Sequence, residues 1–242
     1  MDGFPDELFY LVPRIGVYHV DDGFRAQLTE LYRQLLPPNA TVLDLCSQHD
    51  SHLPSEGNYS LTVHGMNQLE LMANSRASQR FTRNFNEDPS LRELSTGSFD
   101  AVLMTVSIQY MQRPVDILRE AFRVLKPGGI LIVSFSNRMF FTKAIEVWRA
   151  QRNMKGLVNL VLNYFRDSGF QDVRAANRVE MDVKTTGDWM REKLPTPPTG
   201  WLPKDPFAAV VGIKMPEEGA CHVFDQLEGV SWLEMNDSGV VL

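Results

Sequence analysis

Apolar residues alternate between two patterns along this chain: helical spacing in some stretches, short unbroken runs in others. Phe24, Leu28, Leu31, Tyr32 and Leu35 share one helix face, capped by Asp21-Asp22 and stopped by Pro37-Pro38. Thr41-Val42-Leu43-Asp44-Leu45 is short, β-branched and apolar, as a strand buried on both faces should be. Leu61-Thr62-Val63 reads as the second strand, followed by a helix from Gln68 to Ala73, and Arg80-Phe81-Thr82-Arg83 as a weaker third strand. Gly97-Ser98-Phe99-Asp100 turns the chain into a fourth, Ala101 to Met104. Pro114 opens a helix with Val115, Leu118, Phe122 and Leu125 on its apolar face, and Lys126-Pro127-Gly128-Gly129 closes it before a fifth strand, Ile130 to Phe135. A further helix carries Leu157, Leu160, Val161, Tyr164 and Phe165 and ends at Gly169. Strands near Phe170 to Arg174 and from Phe207 to Lys214 complete the order.

Strands that alternate with helices predict parallel crossovers and a sheet covered on both faces, with ligands at the carboxyl edge of the strands. The site is therefore expected in the loops after the first four strands. Between the last two strands, Pro195, Pro197, Pro198, Pro203 and Pro206 interrupt any regular element, so the stretch from Ala176 to Asp205 reads as an insertion or lid, or as a plain surface loop.

Composition narrows the class. The 242 residues, 43% of them hydrophobic, suffice for one globular domain that buries about 70–75% of its unfolded surface without staples. Two cysteines, Cys46 and Cys221, point to a reducing compartment. The start of the chain is acidic and carries no targeting pattern, and no apolar run reaches transmembrane length, so the expectation is a cytoplasmic or similar intracellular location with no membrane partner. The formal charge is −6, and residues 216–242 supply all of it through Glu217, Glu218, Asp225, Glu228, Glu234 and Asp237, with no Lys or Arg. The neutral remainder has no basic stripe for nucleic acid. Phe224, Leu227, Trp232 and Leu233 make this acidic tail more apolar than a free extension usually is, so its middle is expected to pack on the body or on a protein partner, the alternative being a solvated extension that aids solubility.

Three segments occur in order: Val42-Leu43-Asp44-Leu45, Gly97-Ser98-Phe99-Asp100-Ala101-Val102 and Leu125-Lys126-Pro127-Gly128-Gly129-Ile130-Leu131. Together they resemble the class I S-adenosylmethionine-dependent methyltransferases of the small-molecule type 11 branch. Asp44-Leu45-x-Ser47, Ser51-His52-Leu53-Pro54, Val106-x-x-Gln109-Tyr110 and Ser134-Phe135-Ser136-Asn137-Arg138 are similar to a subgroup found in plants, algae and bacteria. The resemblance implies an α/β, Rossmann-like, seven-stranded, mostly parallel sheet with helices on both faces and an antiparallel last strand. With the readings above, the domain is placed at 1–215, with an N-terminal cap over 1–23, an insertion or lid over 176–205 and the acidic tail over 216–242. The resemblance also implies S-adenosyl-L-methionine as cofactor and a small-molecule acceptor. Asp44 matches the family's acidic residue at the end of the first strand, Cys46 and Ser47 its first loop, Asn67 its ribose position, Asn84 and Phe85 its adenine position, and Thr105 the start of the loop beneath the sulfonium.

The chain departs from the family in that first loop. Cys46-Ser47-Gln48-His49-Asp50-Ser51-His52-Leu53-Pro54 holds no glycine, and residues with a β-carbon adopt φ > 0 poorly. Several candidates carry two readings. Asn67 suits an N-cap with Glu70 as the second half of a capping box, as well as a ribose contact. Asn84 suits a turn or an adenine contact. His52 is the candidate base or a loop-shaping histidine, and Gln109 and Tyr110 orient the acceptor or plug the sheet end. His49, His52, Asp50 and Cys46 match no metal spacing. Arg138 offers a fork for an acidic acceptor or lies in solvent, and Arg14, His19 and Asp21 fall where the family folds a segment over the cofactor.

A nicotinamide dehydrogenase is disfavoured because no G-x-G-x-x-G follows the first strand. A methyltransferase and a catalytically silent fold used as a binding module remain as the two functional expectations.

Overall fold

The computed structural model describes residues 4–179, 205–216, 224, 227, 229–236 and 238–241. Short helix α1 (Asp6–Phe9) begins an N-terminal strap, and α2 (Asp22–Leu35) follows it. Asp21 caps α2, its Oδ1 accepting from the Phe24 N–H at 2.8 Å. The strands are β1 (Thr41–Leu45), β2 (Ser60–Gly65), β3 (Ala77–Thr82), β4 (Phe99–Thr105), β5 (Leu125–Phe135), β6 (Asp172–Val179), β7 (Ala208–Ile213) and β8 (Val230–Trp232). Between them lie α3 (Gln68–Ala73), a 3-10 turn at Ile108–Tyr110, α4 (Pro114–Val124), α5 (Glu146–Arg149) and α6 (Met154–Asp167).

These strands form one sheet in the order β3-β2-β1-β4-β5-β7-β6-β8. β1 to β5 run parallel, and β7 enters antiparallel between β5 and β6. The order reverses at β1, with β2 on one side and β4 on the other, which opens the crevice where ligands bind in such sheets. The antiparallel seventh strand agrees with the sequence reading, and the sheet has one strand more than expected. That strand, β8, comes from the acidic tail: Trp232 pairs with Ala176 and Val230 with Val179, antiparallel. The Leu233 N–H donates to the Ala175 carbonyl at 2.8 Å, and buried Phe224 meets the Trp232 ring edge-on at 5.1 Å.

Alternation along each strand divides the core in two. Leu43, Leu45, Val102, Met104, Leu131 and Val133 face α4 and α6, while Val42, Leu103, Ile130 and Ile132 face α2. Asp44 is on the α2 side, the one carboxylate buried within β1.

Element limits shift where pairing overrides local pattern. β5 starts at Leu125 because Phe99 pairs with it, and Lys126-Pro127-Gly128-Gly129 is a bulge before Ile130 pairs with Ala101. A β-carbon on Gly129 would lie 2.8 Å from the Lys126 carbonyl, so the bulge requires glycine there. β6 runs to Val179, so Ala176 to Val179 belong to the sheet and not to a lid. The rest of the lid expectation, 180–204, lies outside the described residues. Residues 46–59, joining β1 to β2, contain no helix. This leaves the first loop free to curl over the sheet edge.

Candidate active site

A cavity of roughly 660 Å³ opens at the carboxyl ends of β1, β2 and β4, the size of a small-molecule site. Asp44, Cys46, Ser47, His52, Asn67, Asn84, Phe85, Thr105 and Tyr110 all line it, so the structure brings nine of the expected residues together.

Its floor is built from strand ends. Asp44 is 4% exposed, and burial pushes its carboxyl up to about 6, against the pull of the Ser47 and Ser51 hydroxyls that bond to it. Thr105 Oγ1 sits 3.1 Å from the Tyr32 hydroxyl and accepts from Ser134 Oγ at 3.3 Å.

Three residues with β-carbons adopt left-handed backbone around this floor: Cys46 (φ 56°), His52 (φ 54°) and Val106 (φ 48°). The missing glycines are thus replaced by strain of order 1–3 kcal/mol per residue, concentrated at the cavity. The chain still makes the tight turn after β1. Gly65 helps from the opposite side, because a β-carbon there would meet the Ser47 carbonyl oxygen at 2.6 Å.

His64, at the end of β2, locks the arrangement. Its Nδ1 accepts from the Cys46 N–H at 3.2 Å, its Nε2 lies 3.0 Å from the Arg83 carbonyl, and its ring stacks on Phe85 at 3.9 Å. Burial lowers its pKa to about 4. A neutral ring accepting at Nδ1 must carry its proton on Nε2 and donate it to Arg83. The Ser47 N–H donates to the His64 carbonyl at 2.6 Å as well. Sequence reasoning passed over His64; the signal was a histidine at the carboxyl end of a buried strand, next to a glycine.

The strap covers the side of the cavity lined by Asn67 and Asn84. Asn67 caps α3, its Oδ1 accepting from Leu69 and Glu70 at 3.0 and 3.2 Å, while its Nδ2 donates to the Tyr10 and Leu11 carbonyls at 2.9 and 3.0 Å. Glu70 does not close a capping box onto Asn67 but accepts from the Arg14 N–H at 2.6 Å. Asn84 shapes the turn, its Oδ1 accepting from the Asn86 N–H at 3.0 Å, and its Nδ2 bonds to Glu7 of the strap. Asp6 meets Asn86 at 2.9 Å and the buried ammonium of Lys143 at 3.2 Å. Asp6 thus turns inward, whereas Glu7, Leu8, Leu11, Val12, Ile15 and Val17 are exposed.

Tyr110 lines the cavity and its hydroxyl accepts from the Phe140 N–H at 2.9 Å. Gln109 does not reach the cavity. The 3-10 turn aims it into the core, fully buried, where its amide donates to the Val106 and Arg138 carbonyls at 3.0 and 3.3 Å, so it joins two loops and does not orient an acceptor. Arg138 lines the cavity but is paired with buried Asp205, which also accepts from the Asp21 N–H at 2.7 Å. His19 faces the cavity, its pKa lowered by burial and by Arg14. Burial pushes the Cys46 thiol up to about 12, so it is no thiolate nucleophile. Among the described residues no three His, Cys, Asp or Glu side chains are grouped to hold a metal, and no helix is long and apolar enough to cross a membrane.

Comparison with known proteins agrees with this geometry. Residues 50–133 match the type 11 methyltransferase domain family. The 2-methyl-6-phytyl-1,4-hydroquinone methyltransferase of Synechocystis sp. is 27% identical over 190 residues, 69% of this chain and 58% of that protein. This chain therefore spans little more than half of that relative's length. Among solved structures, an S-adenosylmethionine-dependent methyltransferase of Thermotoga maritima, a possible histamine N-methyltransferase, is 19% identical with a TM-score of 0.50, covering 78% of this chain and 89% of that one. Phosphoethanolamine N-methyltransferase 2 of Haemonchus contortus, solved with S-adenosyl-L-methionine, is 14% identical with a TM-score of 0.54, covering 83% and 55%. At those identities the likeness is one of fold. The chain carries a class I methyltransferase fold, and residues 50–133 of it match the type 11 methyltransferase domain model.

Proposed function

We propose that this chain binds S-adenosylmethionine and methylates a small-molecule acceptor. The observation that carries the reading is Asp44: a buried carboxylate at the topological switch point of the sheet, with a pKa near 6, waiting for a cationic partner such as the cofactor's amino group. The residues fit the cofactor's amino-acid end, where Asp44, Ser47 and the close approach permitted by Gly65 form a cradle. On the nucleoside side Phe85 offers a ring face, while Asn67 and Asn84 hold the ribose and adenine after exchanging strap contacts for ligand contacts.

When bound, S-adenosylmethionine supplies an electrophilic methyl group. The chain's part is to hold donor and acceptor in line and to keep water out, which in such displacements provides most of the rate. His52 takes a proton where the acceptor has one to lose. Tyr110, fixed by Phe140, supports the acceptor side.

The saturated state of Asn67 favours a second reading, a silent fold whose strap fills the nucleoside side of the cavity permanently. Calorimetric titration with S-adenosylmethionine, S-adenosylhomocysteine and NAD decides between them. The proposal expects the first two to bind and NAD not to. Absence of binding at millimolar concentration establishes the silent module.

A further inference from the structure

The first loop holds a cluster that the cofactor cradle leaves unused. Asp50 Oδ1 accepts from the His52 N–H at 2.9 Å, and Asp50 Oδ2 lies 3.3 Å from His52 Nδ1. The Tyr18 hydroxyl donates to the same oxygen at 3.4 Å. A carboxylate on Nδ1 keeps the imidazole proton there, so Nε2 presents a lone pair, and no described residue pairs with it. Beside this ring, both nitrogens of His49 are buried with no hydrogen-bond partner, and its ring is 5.0 Å from that of Tyr18. Two buried ring nitrogens left without partners cost free energy until something in the cavity bonds to them.

Charge sets what that something is. The cations that line the cavity are each matched by a carboxylate: Arg83 by Glu93, Arg138 by Asp205, Lys143 by Asp6. Asp50 is held by His52, and Glu70 by the Arg14 N–H. Among the described residues no cation is left over for an anionic acceptor, while Tyr18, Tyr110 and Phe140 supply ring faces.

We infer that Asp50 and His52 form a proton-accepting dyad for the hydroxyl of a hydroxylated aromatic acceptor that carries no negative charge, with His49 as its second polar contact. The inference rests on the methyl-transfer reading above and names its substrate class. In the step, the acceptor's O–H bond breaks, its proton bonds to His52 Nε2, and the electron pair stays on oxygen as the nucleophile. The imidazolium so formed faces the Asp50 carboxylate, which makes His52 the catalytic residue and Asp50 a positioning residue. Burial alone would raise Asp50, but its hydrogen bonds with His52 outweigh it and hold the carboxyl well below its usual range, so it stays ionised throughout. The other groups facing His52 are Asp44, His49 and Tyr18, with Arg25 stacked on Tyr18 at 3.7 Å.

The loop's shape depends on backbone atoms of His52, whose carbonyl also accepts from Thr29 Oγ1 at 2.9 Å, so its side chain can be changed without unfolding the loop. The test uses para-nitrophenol, whose phenolate is coloured, titrated with pH into the full chain in the presence of S-adenosylhomocysteine, whose own binding is followed by calorimetry. The expected result is that bound probe ionises about ten-fold more readily than free probe. His52→Gln should abolish that shift, Asp50→Asn reduce it several-fold, and Asp50→Glu restore part of it. His49→Ala should weaken probe binding and leave the shift. Para-nitrobenzoate should not bind. Failure of para-nitrophenol to bind, or an equal shift in wild type and His52→Gln, overturns the inference even where S-adenosylhomocysteine binds. If S-adenosylhomocysteine alone fails to bind, the methyl-transfer reading falls, and the probe's shift still reports the dyad.

Discussion

The Cys46 N–H donates to His64 Nδ1 across 3.2 Å, and through the far side of the same ring the first loop is tied to the carbonyl of Arg83 after β3. One neutral imidazole thus fixes the loops after β1 and β3 from the end of β2. The strained turn at Cys46 exists because this acceptor waits for its N–H.

His64→Leu removes both bonds and leaves a donor and an acceptor unpaired in the interior. The expected loss is about 2–4 kcal/mol in denaturant unfolding. The pH dependence has a definite sign. With the folded pKa near 4 and the unfolded one at 6.5, the unfolded state takes up the proton first on acidification. His64 therefore contributes stability above 6.5 that is lost as pH falls towards 4, about 3 kcal/mol in all. The variant should lack that loss; a wild type and variant with parallel pH profiles would mean that the ring titrates normally.

Asp44 has the opposite dependence. Its folded pKa near 6 lies above the reference 3.8, so its neutral form is favoured by folding, and stability falls as pH rises from 3.8 to 6. Asp44→Asn should therefore raise the melting temperature at pH 7, by the equivalent of about 2–3 kcal/mol, and give no gain below pH 4. The same change should abolish S-adenosylhomocysteine binding, as expected where stability has been given up for a ligand. Retained binding in calorimetry would remove Asp44 from the cofactor cradle.

How far these features can be read in the sequence depends on how local their causes are. β1, β4 and β5 announce themselves because a parallel strand covered on both faces must be apolar throughout, and Lys126-Pro127-Gly128-Gly129 and Pro114 punctuate them chemically. Asp44, Asn67 and Thr105 were legible through their match to the family's positions at strand ends. β8 does not: three residues, Val230-Ser231-Trp232, carry no pattern, and only the open edge of β6 makes them a strand. Gln109 was misread because a single turn of 3-10 helix decides which of two neighbours faces the cavity, and periodicity cannot resolve one turn. The strap's hold on Asn67 and Asn84 is likewise tertiary, joining residues nearly sixty and eighty positions apart.

Cys46 offers a test of the glycine-free loop. At φ 56° a β-carbon is disfavoured, so Cys46→Gly should be more stable than Cys46→Ala by about 0.5–1 kcal/mol, the reverse of the order seen in an ordinary loop. Its thiol, pushed up to about 12, should react with iodoacetamide far more slowly than a free thiol at pH 8 until the chain is unfolded. Rapid alkylation of the folded protein would show that the loop opens.

Asn67 separates cap from strap. Asn67→Asp keeps the Oδ acceptor for Leu69 and Glu70 but sets a second carboxylate oxygen against the Tyr10 and Leu11 carbonyls, where an N–H had donated. The strap should loosen at a cost of about 1–3 kcal/mol, seen as faster hydrogen exchange over residues 6–14 with α3 unaffected. A freed carboxylate also faces the cavity, so S-adenosylhomocysteine should bind more tightly. Faster exchange with weaker binding would assign the strap, and not Asn67, to the ribose.

The acidic tail makes the last test. Phe224 is 3% exposed, packed edge-on against Trp232 with the Arg174 guanidinium 4.6 Å from its ring, and Val241 is buried with its N–H donating to Asn159 Oδ1 at 2.8 Å. Such contacts are those of a core, so Phe224→Ala should cost about 3–4 kcal/mol, as deletion of a buried aromatic does. A solvated extension would lose nothing. Because stability could fall for reasons remote from β8, the decisive reading is local: the Leu233 amide, bonded to the Ala175 carbonyl, should exchange slowly in wild type and at least ten-fold faster in the variant, while amides of β1 and β4 change only by the global loss. Fast exchange at Leu233 in the wild type would detach the tail from the sheet and return it to solvent.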